Sequence, residues 1–166
     1  MLFMLKDSMG VLSKKSIKEN IKKGKITFIP KIKDSQIDFS SVDLTLDDVF
    51  WVFKDKYLKT TKPIDLKKTS YKTALKKVKS DSITLKSQEM CLGITKEKIS
   101  ITKDIVGRLE GRSRYARMGL AVHITSSIHH PGSKNAIVLE IVNMAPFPIK
   151  LNAGMRISQI VFHKIE

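Results

Sequence analysis

From Ile26 onward the sequence breaks into short runs rich in β-branched and apolar residues, separated by polar turns. Candidate strands are Ile26–Ile29, Val42–Leu46, Val49–Phe53, Ser82–Leu85, Met90–Ile94, Ile105–Leu109, Leu120–Ile124, Ala136–Val142, Phe147–Leu151 and Arg156–His163. So many short strands with so few helices predict a barrel or a jelly-roll-like sandwich. One helix precedes them, from about Ser13 to Lys23. Ile17 and Ile21 are four apart, Ser13 is a candidate N-cap, and Gly24 a candidate stop. Met1 to Ser8 read as an N-terminal extension, with Met9 as an alternative start. At 166 residues the chain is expected to form one domain over 1–166.

The formal charge of +15 calls for an anionic partner, and the kind of cation narrows the choice. Only five basic residues are arginines, and four of them are Arg108, Arg112, Arg114 and Arg117. Arginine offers a rigid two-pronged donor suited to phosphate, whereas lysine is a hydrated point charge. A diffuse lysine coat with one arginine cluster reads as a solvated surface plus one anion site. Adaptation to heat would explain the coat but not the cluster. The stretch Lys54 to Lys79 is lysine-rich and reads as a surface insertion. As a nucleic-acid patch it has only Tyr57 and Tyr71 to stack on bases, so no nucleic-acid partner is expected. No apolar run approaches the ~18 residues of a membrane span, and residues 1–5 lack a basic start and are too short for a signal segment. A soluble, cytoplasmic protein with no membrane partner is expected. The single cysteine, Cys91, excludes an intrachain disulfide and a Cys-rich zinc site.

Four segments could carry chemistry. In Gly111-Arg112-Ser113-Arg114-Tyr115-Ala116-Arg117-Met118-Gly119-Leu120, two glycines bracket three arginines and a serine, a donor set suited to a polyphosphate, although basic turns are commonly just solvated. Glu140 interrupts the apolar run Ala136-Ile137-Val138-Leu139-Glu140-Ile141-Val142 and shares a strand face with Ala136, Val138 and Val142. An ionised carboxylate there is costly unless paired or shifted upward in pKa. A structural ion pair, a wet strand end and a catalytic acid/base all fit. His129-His130-Pro131-Gly132 reads as a surface turn, because adjacent histidines on an extended chain point apart and seldom share a metal. Gln159, inside the apolar strand after Gly154-Met155-Arg156, must find hydrogen-bond partners in backbone or ligand. Walker A, G-x-G-x-x-G, G-x-S-x-G and H-E-x-x-H motifs are absent. So is the H-x-E…P-C-x-x-C signature of zinc deaminases, which leaves any deamination here to activate water without zinc.

These segments, in this order, resemble the dCTP deaminase branch of the trimeric dUTPase superfamily. Val11-Leu12-Ser13 to Pro30 looks like the family's opening helix and strand, and Ser41-Val42-Asp43-Leu44-Thr45-Leu46 like its S-x-D-x-x-L strand. Cys91 to Glu97 and Val106 to Glu110 lead into the family's G-R-S-x-x-A-R-x-G-L signature. Gly111, Arg112, Ser113, Ala116, Arg117, Gly119 and Leu120 fit it. Pro131-Gly132, Ile137-Val138-Leu139-Glu140 and Gly154 to Gln159 complete the order.

The resemblance implies a mainly β fold, a distorted jelly-roll or β-barrel of the trimeric dUTPase type with a short N-terminal helix. It implies a homotrimer with sites between subunits. Glu140 would be the general acid/base that activates water for attack on C4 of cytosine, with Ser113 and Arg117 holding water and base. Arg112, Ser113, Arg117, Ser126, His130 and Gln159 would contact substrate. The ligand would be a deoxynucleoside triphosphate: dCTP, with dUTP and dTTP as further candidates. Mg2+ would ride on its phosphates, and the chain would supply no metal ligands of its own. Zinc-independent deamination of dCTP to dUTP and ammonia is the first expectation. A dUTP diphosphatase or a bifunctional enzyme is the alternative, and a non-catalytic nucleotide-binding trimer the third. His130 stands where the family commonly has an aspartate that contacts the sugar, and Arg114 where it has a second small hydroxyl residue. The chain stops at Glu166, before the tail with which family members close over the triphosphate, so no lid from that tail is expected.

Overall fold

The computed structural model describes residues 10–165; the expected N-terminal extension and the alternative start at Met9 lie outside them. Helix α1 spans Lys14–Lys22, capped by Ser13, whose side chain accepts from the Ser16 N–H. Twelve strands follow: β1 (Ile26–Ile29), β2 (Ser41–Thr45), β3 (Val49–Phe53), β4 (Leu75–Lys79), β5 (Ser82–Leu85), β6 (Met90–Ile101), β7 (Ile105–Gly111), β8 (Leu120–Val122), β9 (Ile128–His129), β10 (Lys134–Asn143), β11 (Ile149–Asn152) and β12 (Arg156–Lys164). Three one-turn helices interrupt them, α2 (Asp55–Leu58), α3 (Tyr71–Ala74) and α4 (Ser113–Ala116), with a 3-10 turn at Asp34–Gln36. Among the described residues no helix is long and apolar enough to cross a membrane.

The strands form a curled, mainly antiparallel half-barrel, the β-rich architecture expected from the sequence. One sheet runs β4-β3-β6-β10-β8, with β1 also on β6; the second runs β2-β12-β7-β9; β11 and β5 form a two-stranded flap. β6 is long enough to hold β10 along one edge and β3, then β1, along the other. Its alternating burial sends Cys91, Gly93, Thr95, Glu97, Ile99 and Ile101 inward. The core lies between the sheets, where Phe28 of β1 meets Phe162 of β12 edge to face at 6.3 Å. Ile17 of α1, Leu44, Leu46, Phe50, Leu109, Leu139 and Ile160 are wholly or almost wholly buried around them.

The structure redraws three expected elements. Lys54 to Lys79 is more than a surface insertion: its last five residues form β4 on the edge of the main sheet, in register with β3 from Val49↔Lys79 to Phe53↔Leu75. Lysines hid the strand, yet charged residues on an exposed edge are how sheets avoid pairing with other chains. β6 runs on to Ile101 instead of ending at Ile94, because Lys96 and Lys98 point outward between buried partners. β8 ends at Val122, since His123 adopts φ +59 and turns the chain away.

The turn from α4 into β8 depends on Gly119. Its φ is +82, and a Cβ there would stand 2.8 Å from the Ala145 backbone nitrogen. Gly24, just past α1, has φ +72 but open space around it. Gly119→Ala is therefore expected to lose about 2–4 kcal/mol, from the left-handed backbone plus the clash, and Gly24→Ala about 1 kcal/mol from the backbone alone. Urea denaturation should show a clearly lower midpoint for the first at unchanged slope, and a small shift for the second.

Candidate active site

Glu140 lies on the outward face of β10, with Ala136, Val138 and Val142, while Ile137, Leu139 and Ile141 face the core. That face is not sealed: Val138 is 49% exposed and Glu140 half-buried. With Ser126, Ile128, Leu92, Met90 and Tyr71 it lines a cavity of about 530 Å³. The loop after β8 folds over the carboxylate. The Ile124 and Thr125 N–H groups both donate to Oε2 at 2.9 Å, and the Thr125 hydroxyl is 3.3 Å from each oxygen. The His123 N–H donates to the Glu140 backbone carbonyl at 2.6 Å.

These donors reverse the pKa expectation. Burial raises the Glu140 carboxyl, but the Thr125 and Ile124 N–H groups, the Thr125 hydroxyl and the nearby His123 together hold it below the ordinary glutamate value. The apolar strand pattern favoured an upward shift because it shows neither the open face nor the backbone donors. Oε2 takes both N–H groups and Oε1 only the longer hydroxyl contact, which leaves Oε1 with capacity to accept from a water. The group is a fixed, ionised acceptor at neutral pH.

The arginine cluster separates in space. Arg112 Nη1 pairs with Asp43 Oδ2 at 3.2 Å, Arg156 approaches the same oxygen at 3.6 Å, and Arg156 also donates to the carbonyl and hydroxyl of Ser35. Burial lifts the Asp43 carboxyl above the usual carboxylate value against the pull of both guanidiniums. Arg108 pairs with Glu110 on the surface, and Arg114 lies over the Tyr115 ring. Ser113 opens the one-turn helix α4 and Arg117 ends it, both exposed. Among the described residues no carboxylate lies within ion-pair distance of Arg117, and no hydrogen bond joins Glu140 to Ser113 or Arg117.

Gln159 spends its amide inside the chain: Oε1 accepts from the Ser41 hydroxyl at 2.9 Å, and Nε2 donates to the Gly111 carbonyl at 3.1 Å. It anchors the end of β7 from which the arginine-bearing turn departs. His129 is buried, with Nε2 3.2 Å from the Ile99 carbonyl. A carbonyl only accepts, so Nε2 carries the proton, and burial holds the imidazole below its ordinary pKa. His130 is exposed beside the Pro131-Gly132 turn. Thus Glu140 and Ser126 share one cavity, whereas Arg112, Ser113, Arg117, Gln159 and His130 lie outside its lining. Asp43 is the partner that sequence reasoning missed, although an acid in the apolar strand Ser41–Thr45 invited the argument applied to Glu140.

The folded-state pKa of Glu140 is depressed, so its stabilising contribution is complete above the ordinary glutamate value and is lost as pH falls through the lower folded value. Thr125→Val removes the hydroxyl donor and keeps the N–H. The Glu140 carboxyl, followed by NMR titration, should then move upward toward the ordinary value; an unmoved titration would assign the shift to the backbone donors alone.

The sequence model of the dCTP deaminase-like family matches residues 11–165. A "dCTP deaminase, dUMP-forming" of Methanobrevibacter smithii is 35% identical over 157 residues, covering 93% of this chain and 80% of the relative. A "dCTP deaminase" of Psychromonas ingrahamii is 38% identical over 156 residues, covering 88% and 79%. In structure, the 2'-deoxycytidine 5'-triphosphate deaminase of Agrobacterium tumefaciens superposes with a TM-score of 0.73 at 19% identity, over 95% of this chain. This chain spans about half the length of that one (49%), and the likeness is one of fold. The chain therefore belongs to the dCTP deaminase-like family.

Proposed function

We propose that the protein is a cytoplasmic hydrolase that deaminates dCTP to dUTP and ammonia without zinc. The observation that carries this reading is the Glu140 carboxylate, fixed through one oxygen by two backbone N–H groups at the wall of a cavity large enough for a pyrimidine nucleoside. In the proposed reaction Glu140 takes a proton from a water whose oxygen bonds to C4 of cytosine. It passes that proton to N3, then takes the proton of the new C4 hydroxyl and passes it to the exocyclic nitrogen. The C4–N bond breaks, ammonia leaves and the C4 carbonyl of uracil forms. Displacing solvent from the cavity weakens the charged form and raises the basicity of Glu140 from its depressed starting value.

The chain's single cysteine supports the zinc-free reading. Cys91 is buried on β6 and its thiol is pushed up to about 12, so it is no ready thiolate ligand. In this reading Ser113 and Arg117 hold the water and the base, Arg112 and Gln159 serve the triphosphate, and Ser126 and His130 lie nearer the nucleoside. The exposed guanidiniums and hydroxyl of α4 are donors to anions rather than cation ligands. That donor set fits a magnesium ion carried on phosphate oxygens, where it would neutralise and orient the triphosphate. The separation of α4 from the Glu140 cavity supports a homotrimer in which one subunit's cavity meets another's donors. A second reading, favoured by relatives named dUMP-forming, adds pyrophosphate release, so that dCTP yields dUMP, ammonia and pyrophosphate.

Ammonia and pyrophosphate followed separately, with dCTP and with dUTP as substrate, divide these readings; neither product from either nucleotide would leave a non-catalytic binding protein. Glu140→Gln is expected to lower deamination about 10²–10⁴-fold while nucleotide binding and assembly persist. Arg117→Lys should be severely impaired, because an ammonium cannot reproduce a planar two-pronged contact. If sites are shared, subunits of these two inactive variants, mixed and reassembled, should regain part of the wild-type rate. Mixtures as inactive as their parents would place each site within one chain.

A further inference from the structure

One feature of the Glu140 cavity has no role in the reaction outlined above. The lysine-rich segment between β3 and β4 sends Tyr71, the first residue of α3, to the cavity wall. A neighbouring cavity of about 780 Å³ lies under that segment, and Tyr71 and Met90 line both. The backbone turn that carries Tyr71 is tied down on both sides. Ser70 caps the turn by accepting from the Lys72 N–H at 3.3 Å. Lys54 on the facing strand end donates its N–H to the Ala74 carbonyl at 3.0 Å and its Nζ to the Thr73 carbonyl at 2.8 Å. The ladder of β3 and β4 then begins with Phe53↔Leu75.

The core makes little use of this side chain. Ala74 and Leu75, three and four residues on, are 8% exposed, whereas Tyr71 is 62% exposed. Among the described residues no other phenylalanine, tyrosine or tryptophan lines the Glu140 cavity. Its one further ring, His129, is 4% exposed and tied through Nε2 to the Ile99 carbonyl. The remaining apolar lining is aliphatic or thioether. Among the described residues of this chain, Tyr71 is thus the one accessible aromatic face that a pyrimidine at Glu140 would meet.

We propose that Tyr71 is the base-stacking residue of this site and confers its preference for flat heteroaromatic ligands. The inference rests on the deaminase reading for its ligand. The phenol ring supplies the contact and the hydroxyl is dispensable, because stacking uses the π-face. A segment with the composition of a solvated loop thereby becomes part of the substrate site.

The test uses the full chain with Tyr71→Ala, Tyr71→Leu and Tyr71→Phe. KM and kcat are measured for dCTP, and dCTP affinity is measured calorimetrically in a Glu140→Gln background. Tyr71→Ala should raise KM and the dissociation constant about tenfold or more, with kcat falling less than KM rises. Tyr71→Leu, which restores bulk without a π-face, should resemble Ala, and Tyr71→Phe should restore affinity. Wild-type affinity in the Ala or Leu variant overturns the proposal, as does failure of Phe to restore it. If the wild type binds dCTP in a Tyr71-dependent way but releases no ammonia, stacking stands and the deaminase reading falls. A wild type that turns over dCTP with KM unchanged by Tyr71→Ala overturns stacking alone. A wild type that does not bind dCTP overturns both.

Discussion

Twelve consecutive residues of β6 have to serve two edges and two faces at once. β10 occupies one edge, β3 and β1 share the other, and the inward side chains seat the second sheet. This arrangement forces a carboxylate into the interior. Glu97 is 3% exposed, and it survives there because each oxygen has a donor: Gln36 Nε2 at 3.0 Å and the Thr45 N–H at 2.9 Å. Gln36 also donates to the Asp43 carbonyl, so the same acid fastens the 3-10 turn and β2 to β6. On the other side the Thr95 hydroxyl accepts from the Ile137 N–H, where the register of β10 slips between Ala136 and Val138. The strand that carries Glu140 is thus aimed by a buried hydroxyl on the neighbouring strand β6.

Much of this architecture was legible in the sequence because period-two patterning survives wherever one face is apolar. Ile26–Ile29, Val49–Phe53 and Ser82–Leu85 were read to the residue. The pattern failed where charge sits on the outer face of a strand. Lys96 and Lys98 hid the second half of β6, and the lysines of β4 disguised an edge strand as a loop. The two-residue β9 is too short for any periodic signal. At the site, Glu140 was conspicuous as an acid within an apolar run. The donors that set its charge state are backbone N–H groups, which have no sequence signature. Gln159 was read as a buried amide in need of partners; it is half-buried, and its partners are Ser41 and Gly111 within the chain.

Two acids within apolar strands are handled in opposite ways. Asp43 faces two guanidiniums yet sits above its usual pKa, because its surroundings are dry enough to outweigh them. Among the described residues Glu140 pairs with no guanidinium, and it sits below its usual value because short, well-aimed N–H groups reach it at an open face. Formal charge nearby is therefore a poor guide to protonation in this fold; access to water and the number of oriented donors decide it. The same comparison explains why the arginines do not form one anion trap. Arg112 is half-buried and pairs with Asp43, whereas Arg117 stands exposed at the end of α4.

The edge strand β4 carries a further consequence, for the protein in concentrated solution. Among the described residues no strand pairs with its outer edge, and Lys76, Lys77 and Lys79 stand along it. Lys77 leans toward Trp51, while Lys76 and Lys79 lie 3.7 and 3.4 Å from Asp55 and Asp48. Electrostatic protection reaches only as far as the ionic atmosphere allows: about 8 Å at physiological ionic strength and about 3 Å at 1 M. Two strands join at a spacing of about 4.8 Å, which falls between those lengths. In dilute salt, approaching chains are repelled before their edges can meet; in brine the repulsion fades inside the joining distance. The colloidal behaviour of this molecule is thereby coupled to the ionic composition of its surroundings through one lysine-bearing strand.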